Sequence, residues 1–193
     1  MLVLPKSAFL HFPKTGGNWV RCAIGRSGIV TTEVGEMHDH KRPPGKFTFC
    51  FLRKPDEWYI SRWRCPWHRE RLARSEPKHI DCANEHEARD FNLWVQRILC
   101  EWPAHLSNAY RNFLQHADYV APTDRLVSGL DAALTMAGES YDRPLLLGTP
   151  RVHESQIACP EYKPEVHEQL VSVEAEAFKL YAKTANTTVS MAS

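Results

Sequence analysis

A lysine followed by two glycines, where an apolar strand gives way to a helix, is a way of building an anion cradle. The segment Phe9-Leu10-His11-Phe12-Pro13-Lys14-Thr15-Gly16-Gly17-Asn18-Trp19 has that order. Glycines let backbone N–H groups approach a phosphate or sulfate closely. The helix N-terminus adds its dipole, and Lys14 adds a full positive charge. The lysine precedes the glycines, so the spacing is not GxxxxGK[ST], and ordinary ATP or GTP use is disfavoured. A second group stands in Phe51-Leu52-Arg53-Lys54-Pro55-Asp56-Glu57-Trp58-Tyr59-Ile60-Ser61-Arg62-Trp63. Arg53 ends an apolar run, and Ser61 follows eight residues later, about two helical turns on. An arginine offers a planar fork to phosphate and a serine hydroxyl adds a neutral donor. The plainer alternative pairs Arg53 with Asp56 or Glu57 and leaves Ser61 facing solvent.

Two further clusters carry ionisable groups. Glu36-Met37-His38-Asp39-His40 offers His38 and His40 as general bases, with Glu33 and Glu36 as rivals. Cys65-Pro66-Trp67-His68 and His79-Ile80-Asp81-Cys82 form a CxxH and an HxxC pair, a donor set able to hold a tetrahedral zinc. In a chain with 10 histidines and 6 cysteines such pairs also arise without a metal. Arg62, Arg64, Arg69, Arg71 and Arg74 surround the cluster, either to receive an anionic acceptor or as a solvated basic loop.

An α/β pattern must position these groups. Val3-Leu4 or Ala8 to Phe12 reads as the first strand, then a short helix runs from Gly17 to about Gly25. Ile29 to Val34 is a weaker strand. Lys46 to Leu52 is a continuous apolar run suited to a central parallel strand covered on both faces. If so, Arg53 lies at the carboxyl end of a parallel strand, where open α/β sheets bind ligands. A helix should start at Asp56, after Pro55, and reach Trp63. Arg64 to Asn84 is polar and irregular. Helices are expected over Glu85 to Glu101, Ala104 to His116, Asp124 to Ala137 and Glu165 to Lys183, with a strand over Asp118 to Ala121. The expected fold is a single α/β domain over 1–193: three layers, a central parallel sheet flanked by helices, and a frayed tail over 184–193.

The 193 residues suffice for one sizeable core, and 43% apolar content is ordinary. No apolar stretch is long enough to span a bilayer. The start Met1-Leu2-Val3-Leu4-Pro5 is too short for a signal-peptide core, so the chain reads as cytoplasmic, with free thiols. The net charge of +1 hides an asymmetry. Residues 1–80 hold 15 Lys/Arg against 7 Asp/Glu, and residues 81–193 hold 9 against 16. A basic half around the glycine loop suits a polyanionic ligand, with nucleic acid or a solvated basic face as alternatives.

HFPKTGGNW resembles the phosphosulfate loop of sulfotransferases that use 3′-phosphoadenosine 5′-phosphosulfate (PAPS), commonly H-[IVL]-P-K-[TA]-[GA]-[GS]-[TS] in carbohydrate-type members. FCFLRKPDEWYISRW is similar to that family's 3′-phosphate segment, F-x-F-[VL]-R-[DN]-P-x-x-R-x-x-S-x-[YW]. DYVAPTDRLVSGLDAAL resembles the strand–acidic residue–helix element that follows. Asn18 stands where the loop usually has a hydroxyl residue, and Trp58 where an arginine is frequent. The C-terminal RKG signature of cytosolic members has no counterpart, which turns attention to Arg62 or Arg64 for further 3′-phosphate contacts.

The resemblance implies a P-loop NTPase/sulfotransferase-like fold and transfer of a sulfuryl group from PAPS to a hydroxyl, less readily an amine, of a carbohydrate or small molecule. Adenosine 3′,5′-bisphosphate is the product left behind, and no metal is required. Lys14 would be catalytic. Pro13, Lys14, Thr15, Gly16, Gly17, Asn18 and Trp19 would hold the 5′-phosphosulfate, and Arg53 and Ser61 the 3′-phosphate. His38 and His40 resemble an H-x-H element that places a catalytic histidine between the two cofactor segments, while His11 in the strand supports the loop. No nucleic-acid partner is expected, and the oligomeric state is left open. A phosphotransferase of related fold and a non-catalytic anion- or nucleic-acid-binding module are the competing readings.

Overall fold

A computed structural model of the chain describes residues 1–36, 38, 41–65, 89–151 and 158–190, with side chains to 186. In chain order the elements are β1 (Leu2–Val3), β2 (Ser7–Phe9), α1 (Gly17–Arg26), β3 (Thr32–Glu33), β4 (Phe47–Leu52), α2 (Pro55–Trp63), α3 (Phe91–Glu101), α4 (His105–Leu114), β5 (Tyr119–Pro122), α5 (Leu126–Met136), α6 (Arg143–Leu147), α7 (Pro164–Val173) and α8 (Ala175–Ser190). A 3-10 turn over Thr123–Arg125 links β5 to α5. The class is α/β. Among the described residues no helix is long and apolar enough to cross a membrane.

The five strands form one sheet in the order β3-β1-β2-β4-β5. It is mixed rather than wholly parallel. The strands β2, β4 and β5 run parallel, with Phe9 opposite Phe49 and Phe49 opposite Tyr119. The first-strand expectation divides into two short strands, because the chain turns back at Pro5 and Lys6 and pairs β1 antiparallel with β2. β3 adds antiparallel to β1 at the edge. Only the parallel half leads into the candidate site.

The chain divides into two compact units, one of Met1–Arg53, Ala109–Glu154 and Leu180–Ser193, the other of Lys54–Asn108 and Ser155–Lys179. The first contains the sheet. Its strand β4 lies between two parallel neighbours, and Phe49, Cys50, Phe51 and Leu52 are wholly buried, as its unbroken apolar run requires. Phe9 stacks on Phe49 at 5.6 Å between ring centres and meets Phe51 edge-on at 6.0 Å. Trp19, Val20, Ala23 and Ile24 of α1, with Leu130, Ala133 and Leu134 of α5, belong to the same core. Burial drives the Cys50 thiol up to about 12, so it packs as an apolar group. Asp118 tethers the start of β5 to β4. Burial alone would raise its carboxyl, but hydrogen bonds from Thr48 and Arg42 hold it below the usual carboxylate range.

The second unit is helical and aromatic. Pro55 opens α2 at the first helical position, and Asp90 caps α3 by accepting from the Asn92 and Leu93 amides. Tyr59 meets Trp94, and Trp63 meets Phe91, edge-on at 6.0 and 5.7 Å. The single helix expected over 165–183 is two helices, α7 and α8, broken at Glu174. The wholly buried Glu174 carboxylate accepts from Tyr59 Oη, Leu106 N, Ser107 N and Ser107 Oγ at 2.6–2.9 Å. It thereby serves as the N-terminal cap of α4, which the local sequence does not supply. Past the break, α8 runs to Ser190, through the segment expected to fray.

Candidate functional site

The loop after β2 is shaped by two backbone conformations. Lys14 has φ 67°, the left-handed region that a lysine enters only at a cost, and Gly16 has φ 77°. Gly16 is the N-cap of α1, and its carbonyl accepts the first helical bond, from Val20 N. The amides of Gly17, Asn18 and Trp19 therefore have no acceptor inside the helix. No acidic residue lies in the first turn and no side chain caps it. Gly16 and Asn18 are exposed, Lys14 is half-buried, and Gly17 and Trp19 are buried, so the turn reaches the surface at Gly16 and Asn18. Thr15 Oγ1 donates to the Phe12 carbonyl at 2.7 Å, which closes the turn beneath them.

Arg53 reaches this loop from the end of β4. Its Nη1 donates to the Lys14 carbonyl at 3.3 Å, and its own carbonyl accepts from Tyr110 Oη. The structure thus sets the Arg53 guanidinium against the backbone of Lys14, at the carboxyl edge of two parallel strands. Of the competing partners, Asp56 pairs with Lys54 at 2.9 Å.

Two close contacts explain the paired glycines. A β-carbon on Gly16 would stand 2.6 Å from Leu126 Cδ2, so the start of α5 packs directly on the loop. A β-carbon on Gly17 would stand 1.8 Å from His11 Nε2. His11 is 5% exposed, wedged under the first turn of α1. Its Nδ1 is buried with no hydrogen-bond partner among the described residues. Burial above all, then the neighbouring His38 and the cations Arg21, the Met1 amine and Lys14, lower its pKa to about 3, so the ring is neutral. His38 lies edge-on to it at 4.8 Å and is exposed, and His38 Nδ1 is 3.1 Å from the His11 carbonyl.

The other sequence candidates fall as follows. The Trp19 side chain is buried and donates from Nε1 to the Thr149 carbonyl at 3.2 Å, so it belongs to the core. Pro13 is half-buried. Ser61 is half-buried on α2 in the helical unit, and Arg62 of that helix lies over the Trp58 ring at 5.9 Å. Trp58 and Trp63 are core residues, 2% and 8% exposed. Glu33, a rival base, pairs with Arg21. His40 lies outside the described residues. So do His68, His79 and Cys82 of the zinc quartet, and Arg69, Arg71 and Arg74. Sequence reasoning missed the contacts from Leu126, Thr149 and Tyr110, which lie far along the chain and carry no local signal.

The donor set suits an anion: one lysine, a neighbouring arginine and the first-turn amides, with no carboxylate in that turn. No family model, curated protein or solved structure matches the chain.

Proposed function

We propose that this protein is a PAPS-dependent sulfotransferase acting on a hydroxyl of a carbohydrate or small molecule in the cytoplasm, with the three-layer, P-loop-like fold of that family. The observation that carries the reading is the Arg53 guanidinium hydrogen-bonded to the carbonyl of Lys14, the residue that precedes the glycine turn. A loop lysine and a strand-end arginine held together suit a ligand with two separate anionic groups, which PAPS is and a simple sulfate is not.

When bound, PAPS supplies a sulfuryl group activated by its phosphate leaving group. The protein's part is positioning and charge. Lys14 and the amides of Gly17, Asn18 and Trp19 would supply positive charge to the 5′-phosphosulfate, on a turn held by the Thr15 and Arg53 bonds. Arg53 presents a fork for a second anion. Of the two candidate bases, His38 is the described one. A carbonyl can only accept, so its Nδ1 carries the proton and its Nε2 holds the lone pair able to take one from an acceptor hydroxyl.

The test is calorimetric titration with adenosine 3′,5′-bisphosphate beside ATP and AMP. The bisphosphate should bind best, and Lys14→Ala and Arg53→Ala should each weaken it at least tenfold, since a hydrogen bond to a charged group is worth about 1.5–3 kcal/mol. ATP binding as well as the bisphosphate would overturn the proposal.

A further inference from the structure

The part of His11 beyond supporting the loop is open, and its surroundings are unusually well defined. His11 lies two residues past the end of β2, and its ring stacks on Phe9 with centroids 5.4 Å apart and planes at 22°. Its Nε2 edge fills the space where a side chain at position 17 would stand. Its ring meets His38 edge-on, and its carbonyl oxygen lies 3.1 Å from His38 Nδ1, where it can only accept a hydrogen bond. One residue therefore touches the helix turn that offers amides to the anion and fixes the candidate base by both ring and backbone.

We infer that His11 is a positioning residue that holds the anion loop and His38 in one register: its ring wedges against Gly17 on one side and on the other holds the His38 ring edge-on, where the His11 carbonyl accepts from its Nδ1 and so sets the Nδ1–H tautomer. This rests on the sulfotransferase reading for its meaning, though not for its geometry. Three features make the coupling rigid. The ring is buried, so it cannot swing into water. It is stacked on a core phenylalanine that is itself fully buried. Arg21, the Met1 amine and Lys14, cations that act on it electrostatically, favour the neutral ring. Gly17 is then required less for helix geometry than for the room it leaves His11, and a change at 17 should be felt at 38 through the ring between them.

Long-range proton–nitrogen NMR of the imidazoles reads the tautomer directly, without any ligand. In the wild-type protein His38 should be in the Nδ1–H form. In His11→Ala it should drift toward the Nε2–H form that free imidazole side chains favour, whereas His11→Phe, which keeps an aromatic ring there, should retain Nδ1–H. Gly17→Ala should disturb the His38 signals although it removes no atom that touches them, and should also weaken adenosine 3′,5′-bisphosphate at least tenfold. The inference is overturned if wild-type His38 is Nε2–H, or if its signals are the same in His11→Ala or Gly17→Ala as in the wild type. If the wild type fails to bind the bisphosphate, the sulfotransferase reading falls while the tautomer result still decides the role of His11. Should His11→Ala not fold, the Phe and Gly17 variants carry the test.

Discussion

Acid should unfold this protein through His11, and the size of the effect follows from its burial. In the unfolded chain an imidazole titrates near 6.5, and in the folded protein His11 stays neutral down to about pH 3. Between those values the unfolded state binds a proton that the native state does not, so stability falls as pH falls. Above pH 6.5 the contribution is complete. Each unit below that costs about 1.4 kcal/mol, which amounts to about 2 kcal/mol on going from pH 7 to pH 5. The whole shift is worth roughly 4–5 kcal/mol by pH 3, a large part of the 5–15 kcal/mol that holds a typical domain together. His11→Gln cannot titrate, so it isolates the term. Urea unfolding of both proteins at pH 7, 6 and 5 gives the stability of each by linear extrapolation. The wild type should lose about 2 kcal/mol more than the variant over that range. Other carboxylates and histidines titrate in both proteins and largely cancel. Parallel stability–pH curves would refute the reasoning, because they would mean that His11 takes up its proton in place.

Two further substitutions separate binding from folding. Lys14 holds a left-handed backbone that costs a non-glycine residue about 1–2 kcal/mol. Lys14→Gly should raise stability by about 1 kcal/mol while losing bisphosphate binding, as measured by thermal unfolding and titration. A lower melting temperature would show that the side chain supports the loop rather than strains it. Glu174→Gln replaces a buried carboxylate that receives four hydrogen bonds with a group half of which can only donate. It should cost about 3 kcal/mol or more in urea, with circular dichroism following the helices, and a loss below about 1 kcal/mol would contradict its capping role.

Elements whose cause is local were legible in the sequence. The run over Lys46 to Leu52 is almost entirely apolar and became β4, and Pro55 fixed the start of α2 within a residue. The glycine pair announced the start of α1. Where the cause is distant, the pattern misled. The apolar stripe Val166, Leu170, Val173, Ala177 and Leu180 continues across position 174, so one helix was expected. The break there coincides with the Glu174 carboxylate buried on the amides at the start of α4, about 70 residues away in the chain. The five-residue α6 is too short to show a helical period and depends on the Asp142 cap at Leu145 N. The two-residue strands β1 and β3 are too short to show an alternation, so the mixed character of the sheet could not be read.

Residue type and spacing by themselves determined that a lysine, two glycines and a helix start would follow one strand, and that an arginine would end another. Those are properties of neighbours in the chain, set by backbone sterics and by the hydrophobic run. Only the tertiary structure decided that Arg53 reaches Lys14, that Leu126 sits on Gly16, and that His11 fills the space over Gly17 and meets His38. Arg53, Leu126 and His38 meet the loop through parallel pairing and side-chain burial between segments tens of residues apart, and even the short step from His11 to Gly17 is set by how the ring is buried. No local propensity encodes which side chain will occupy the room a glycine leaves.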